Sequence, residues 1–295
     1  LVHMFRRFKE SWQLTKSCWA VLQKDKQLLL FPVLSGILSI LLVTTFVAPG
    51  VYMISQNPHV FDKSPVGIVG PLLLFLLYFC LNSVILFCNT AVLICVKQRF
   101  EGGSPTLSSG ISGACKFLPQ ILSWAFLGGC LGVILRQLEE SFGIFGALLA
   151  RLLGGAWAVV SFFALPVMIF EGKGPLQALP RSKEIISQTW GQSLGAYLGL
   201  NALSSLFGLF AVLAMFSSVG ASIVTESATP LGVTIVVLML SGLCLAIVSS
   251  CLTQIFQAAL YVYATTKEVP SCFDSFAMEG AFQERKGRKW VLVRR

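Results

Sequence analysis

Six long apolar runs dominate this sequence, at about 28–54, 70–96, 117–135, 152–170 (with an earlier start near Phe142 also open), 194–219 and 231–264. A helix of about 20 such residues crosses the hydrocarbon core of a bilayer. Peptide groups in hydrocarbon must pair within their own segment, so the runs predict helices and not an open sheet. The last run is longer than a bilayer requires, so that helix must tilt, kink or project. Charged residues make up 12% of the chain, about half the share of a soluble domain. The expected fold is all-α and polytopic, a single six-helix transmembrane domain over residues 1–270 followed by a basic tail, 271–295. Leu1–His3, ahead of Met4, read as a cloning remnant, and no cleavable signal peptide is evident.

The net charge of +9 would suggest nucleic acid in a soluble protein. Here topology accounts for it. Of the 22 Lys and Arg, all but Lys63, Arg136 and Arg151 fall in the N-terminal segment, the second-to-third connection, the fourth-to-fifth connection or the tail. By the positive-inside rule those four segments are cytoplasmic. Both termini are then inside and three hairpins reach outward.

The N-terminal segment has two faces. Phe5, Phe8, Trp12, Thr15, Trp19 and Leu22 recur at steps of three and four, whereas Arg6, Arg7, Lys9 and Lys16 lie elsewhere. That periodicity predicts a helix lying in the membrane interface, its aromatics at headgroup depth and its bases toward anionic lipid. Each base near such a surface contributes about 1 kcal/mol. A soluble helix packed on a cytoplasmic partner is the alternative. The device recurs before the third run, with Leu107, Ile111, Ala114 and Leu118 on one face, and before the fifth, with Leu179, Ile186 and Trp190. The first and third copies share Ser, seven residues, then Trp: Ser11/Trp19 and Ser182/Trp190. Three units, at about 5–96, 104–170 and 175–266, each pair an interfacial elbow with a transmembrane hairpin, which suggests a threefold pseudo-repeat.

The three units, the "SKEIISQTW" stretch and the "FQAALYVYATTKEVPSCFD" ending resemble a six-span, mostly bacterial membrane protein family of unknown function. The arrangement is also similar to the membrane domain attached to some glycerophosphodiester phosphodiesterases. The resemblance implies a bacterial inner-membrane protein and carries over no catalytic residues.

Polar residues inside spans are costly in hydrocarbon and point to function. Asn82 and Asn89 share a face of the second span. Asn201, Ser204 and Ser205 line the fifth, and Ser250, Gln254 and Gln257 the sixth. They read either as interhelical hydrogen bonds, worth about 0.6 kcal/mol each on average, or as the lining of a polar cavity. At the outer end of spans three and four, Arg136, Glu139, Glu140 and Arg151 form a charged cluster. Arg136 and Glu140 are spaced to pair on a helix. The cluster is either plain surface or an outward site for an anionic lipid headgroup, with the two arginines on the phosphate.

Nine cysteines form no C-x-x-C pair, and with two histidines no metal or cofactor site is expected. No H-E-x-x-H, G-x-S-x-G or P-loop occurs. His59 and Asp62 lie in a Pro-flanked outer loop and read as a turn. The expectation is a non-enzymatic membrane protein acting on or with lipids, as an envelope scaffold or lipid-handling factor. Anionic phospholipid is its expected partner, and a homo-oligomer or a second membrane protein is a further one. The alternative is a small-solute transporter or channel using the amide-lined faces.

Overall fold

The computed structural model describes residues 16–56, 66–189, 193–225, 227 and 229–266. Helical residues 16–24 form α1, and a 3-10 turn, Lys26–Leu29, leads into α2 (Leu30–Gln56). There follow α3 (Val66–Phe100), α4 (Leu107–Lys116), α5 (Leu118–Val160), α6 (Ala164–Phe170), α7 (Pro175–Thr189), α8 (Ser193–Val224) and α9 (Thr229–Thr266). Among the described residues there is no strand. Five helical stretches are long and apolar enough to cross a membrane: Lys26–Pro49, Leu72–Phe100, Leu118–Phe170, Leu206–Val224 and Thr229–Thr266. At a rise of 1.5 Å per residue, α9 is about 57 Å long, well beyond the roughly 30 Å of hydrocarbon.

The third of these stretches, at 53 residues, is folded in two. Gly143 takes φ 55°, ψ −129°, a backbone open to glycine and strained for other residues. The chain reverses there. A Cβ on Gly146 would lie 2.1 Å from the carbonyl oxygen of Leu138, so only hydrogen fits between the arms at the bend. Further along, Leu135 approaches Gly154, and the Trp124 and Trp157 rings stack with centroids 5.4 Å apart.

This carries the third span beyond its expected end at 135 and starts the fourth near Phe142, the earlier of its two expected limits, and not at 152. The residues between 135 and 152 are helical on both sides of Gly143. Arg136, Gln137, Leu138, Glu139 and Glu140 are good helix formers, and Arg136 pairs with Glu140 at 2.7 Å, so the helix runs on to the bend. The returning arm is interrupted at 161–163 instead. Pro166 has no N–H, and its ring would meet the Phe162 carbonyl in a continuous helix. The N–H of Phe163 donates to the buried hydroxyl of Ser182 on α7, 3.0 Å away.

Burial is concentrated at one end of the molecule. The core joins α1 and the start of α2, the last turns of α3, α6 and the last turns of α9, with α4 and α7 laid over them. α3, α6 and α9 touch pairwise. This is the end that carries Lys97, Arg99, Lys173 and Arg181. The opposite end presents exposed apolar side chains, among them Ile144, Phe145, Phe216, Val224 and Met239. An apolar surface of that kind is stable against lipid tails and not against water.

The three short helices bury Cys18, Val21 and Leu22 on α1, Gly110 and Ala114 on α4, and Ala178, Ser182 and Ile185 on α7. Trp19, expected at headgroup depth, is 43% exposed. Leu107, Ile111, Leu179 and Ile186 are half-buried. Leu22 and Ala114 of the expected faces are buried, and small neighbours such as Cys18, Gly110 and Ala178 are buried beside them, because small side chains let helix backbones approach closely. At Gly110 a Cβ would lie 2.5 Å from the Phe31 ring and 2.7 Å from the Cys95 sulfur. Phe5, Arg6, Arg7, Phe8, Lys9, Trp12, Trp190 and the tail lie outside the described residues.

Candidate functional site

The densest polar arrangement stands where α6, α7 and α9 meet. Glu171 follows α6, in a turn completed by Gly172 at φ 66°. Its Oε1 accepts from Arg181 Nε at 2.9 Å and from the Tyr261 hydroxyl at 2.8 Å. Its Oε2 takes Lys173 Nζ at 2.6 Å. Arg181 also donates to Glu184 at 2.7 Å. Partial burial by itself would raise the Glu171 carboxyl. The hydrogen bonds from Lys173, Arg181 and Tyr261, with the Arg181 charge, outweigh it and hold the group at about 2. Glu184 and then Glu171 push the Arg181 guanidinium in the opposite direction, upward. A carboxylate so firmly ionised is a poor proton acceptor at neutral pH. Its geometry is that of a clamp holding three helices at the basic end.

A second clamp closes the first unit. Asp25, between α1 and the 3-10 turn, accepts both Nε and a terminal nitrogen of Arg99 at the end of α3. Asp25 is buried and Arg99 half-buried. Such a bidentate fork fixes orientation as well as distance. Ser109 on α4 adds a bond to Gln98, 2.9 Å, and completes a capping box with Thr106 at the start of α4.

Deeper in the core, Thr90 and Gln254 are 1% and 7% exposed, and Thr90 Oγ1 and Gln254 Oε1 have no hydrogen-bond partner among the described residues. Both helices meet a shared neighbour further on. Lys97 Nζ lies 5.2 Å from the Phe170 ring centroid, and Tyr261 lies 5.0 Å from the same ring. Thr90 is seven residues before Lys97, and Gln254 is seven before Tyr261. Seven residues are about two turns, or roughly 10 Å, so both return to the same face. α3 and α9 touch, and each carries its unpartnered group about two turns before a residue that packs on the Phe170 ring.

The other amides expected to line a cavity are placed as follows. Asn82 is half-buried, its amide nitrogen 3.4 Å from where a Cβ on Gly128 of α5 would be. Asn89 and Gln257 are half-buried too. The side chains of Asn201 and Ser204 lie outside the described residues. Arg136 and Arg151 stand about 10 and 12 Å from Gly143 along the two arms, by the helical rise. Both are exposed, as are Glu139 and Glu140, and Glu140 is paired to Arg136.

Sequence reasoning passed over Asp25 and Glu171 because it followed the bases. The signal was there: each is an acidic residue within two positions of a lysine at the basic boundary of an apolar run.

A sequence model described as a family of unknown function, DUF6159, matches residues 68–271. No curated protein matches the chain.

Proposed function

This chain belongs to the DUF6159 family of unknown function, so no activity comes with the membership, and we propose that it is a non-enzymatic integral membrane protein acting as a lipid-interacting scaffold. In this reading the chain crosses the bilayer six times, through α2, α3, the two arms of α5 with α6, α8 and α9. Both termini are cytoplasmic, in a bacterial inner membrane. α1, α4 and α7 are three pseudo-equivalent elbows on the cytoplasmic face, and anionic phospholipid is the partner of the bases around them.

The observation that carries the reading is the confinement of the buried core to the basic end. The elbows are locked there by Asp25–Arg99 and by the Glu171 hub. A rigid, basic platform is then held at the headgroups, while the opposite halves of the helices meet lipid. Asn82, set against Gly128 of a neighbouring helix as a packing contact, supports the scaffold over a channel. The channel reading retains one favourable observation, the unpartnered Thr90 and Gln254.

Reconstitution separates the two. On the scaffold reading, Asn82→Leu and Asn201→Leu variants stay folded and change no solute flux in liposomes, whereas removing residues 5–22 lowers binding to phosphatidylglycerol vesicles. Flux lost in both folded variants overturns it.

A further inference from the structure

The sequence past α9 has two halves of opposite charge. Residues 268–284 carry four acidic side chains, Glu268, Asp274, Glu279 and Glu284, and no Lys or Arg. Residues 285–295 carry six bases and no acid. Opposite charge gives the two halves different neighbours. The acidic half is also apolar. Val269, Phe273 and Phe276 recur at steps of four and three, the spacing of one helix face. A segment of that composition calls for an apolar seat beside positive charge.

Such a seat exists within reach. A cleft of about 600 Å³ opens between the first arm of α5 and the start of α7. Leu122, Phe126 and Leu127 form one wall, and Pro175 and Leu176 the other, with Ser123 and Gln177 as polar side chains. No charged side chain lines it, so it suits apolar groups. Leu122, Phe126 and Leu176 are exposed, an apolar face that nothing covers among the described residues. Both walls have positive charge on their own stretch of chain. Lys116, two residues before α5, and Lys183, on α7, are exposed and in no ion pair among the described residues. α9 ends beside this cleft. The Tyr261 hydroxyl donates to Glu171 at 2.8 Å, and Gly174, at the cleft, is three residues past Glu171. Thr266 is five residues past Tyr261, about 8 Å by the helical rise. Ten extended residues span up to about 33–36 Å, so Phe276, ten residues past Thr266, reaches the cleft, and Phe273 is three residues nearer.

We propose that this cleft is the docking site of the chain's own segment 268–284, with Phe273 and Phe276 seated against Leu122, Phe126 and Leu176. The acids of the segment face the lysines of α4 and α7, and the basic half, 285–295, stays free for other partners. The contact carries the end of α9 across α7 to α5 and so fastens the third unit to the second. It does not depend on which lipid the basic end meets.

The test places a photoreactive benzoylphenylalanine at position 176 of the full chain, in native membranes, and maps its products by mass spectrometry of the digest. Position 134, exposed on the same arm of α5, carries the same group as a control. Crosslinks from 176 into 268–284 of the same chain, absent from 134, are the expected result. Phe273→Ser/Phe276→Ser is expected to cut their yield at least fivefold. Asp274→Lys/Glu279→Lys is expected to cut it at least twofold, and an unchanged yield there overturns the charge pairing. The reciprocal probe at position 276 is expected to mark 122–127 or 174–177, and it alters no residue of the helices. Products on lipid or detergent alone overturn the proposal, as do products that join two chains, because the occupant is then lipid or a second copy. Products confined to 285–295, or a yield that Phe273→Ser/Phe276→Ser leaves unchanged, overturn it too.

Discussion

Arg99 grips Asp25 by two nitrogens across 74 residues of sequence, tying the end of α3 to the junction of α1 and α2. The carboxylate is buried, and a quarter of the arginine side chain reaches solvent. This pair closes the first elbow onto the core, as Arg181 and Glu171 close the third.

Removing one partner leaves the other charge with less water than it had unfolded. Full burial makes such a loss cost about 3–5 kcal/mol, and the solvent contact of Arg99 reduces it. Arg99→Ala is expected to destabilise the detergent-solubilised protein by about 2 kcal/mol. Asp25→Asn/Arg99→Gln is expected to cost less than the sum of its single variants. Denaturation midpoints in a double-mutant cycle measure both, and strict additivity shows that the pair is not coupled.

Glu171 gives stability a pH dependence of defined sign. Its folded pKa of about 2 lies below the usual glutamate value, so the unfolded chain binds the proton more readily. The contribution is fully present above about pH 4.5 and is lost as the pH falls toward 2. Thermal midpoints of the wild type are expected to be level from pH 7 to 5 and to fall below that. Glu171→Gln removes much of the acid slope and lowers the neutral-pH midpoint. An unchanged slope in that variant assigns the acid sensitivity to another group.

Thr90 and Gln254, both buried and without a partner among the described residues, are expected to be bridged by one shared water. Thr90→Val and Gln254→Leu each strand the remaining group, and the double variant strands neither. The expected coupling is about 0.6–1.7 kcal/mol, the range of interhelical hydrogen bonds in membranes. Thermal denaturation of the four forms reads it. Additive effects sever the two residues.

The bend of α5 distinguishes two glycines. A Cβ at Gly146 collides with the Leu138 carbonyl, whereas at Gly132 it meets nothing within 4 Å. Gly146→Ala is expected to cost about 1–3 kcal/mol by overpacking, and Gly132→Ala close to nothing. Equal midpoints for the two variants place the tight turn elsewhere.

Much of the architecture was legible in the chain. The apolar runs, the basic connections and the amphipathic segments before the third and fifth runs all reappear as helices where periodicity put them. The end of span three was not legible, and the start of span four was left open between Phe142 and Leu152. Charge suggested a connection from 136 to 151, yet charged residues are good helix formers, and a single glycine makes the turn. The faces of the elbows were legible in part, with Leu22 and Ala114 on the expected stripes and buried. Bulk marks hydrophobicity in a sequence, whereas close packing selects small residues, so Cys18, Gly110 and Ala178 drew less notice than Trp19.

Sequence alone determined that the chain forms long apolar helices with its bases gathered at one end, because hydrocarbon forces backbone pairing within each segment and charge is excluded from it. Only the tertiary structure decided which polar residues matter together. Asp25 with Arg99, and Glu171 with Arg181 and Tyr261, each join residues distant in the chain. No local propensity encodes such pairings. They arise when α3, α6 and α9 pack at a common level and their remaining polar groups must find partners inside a space closed to water.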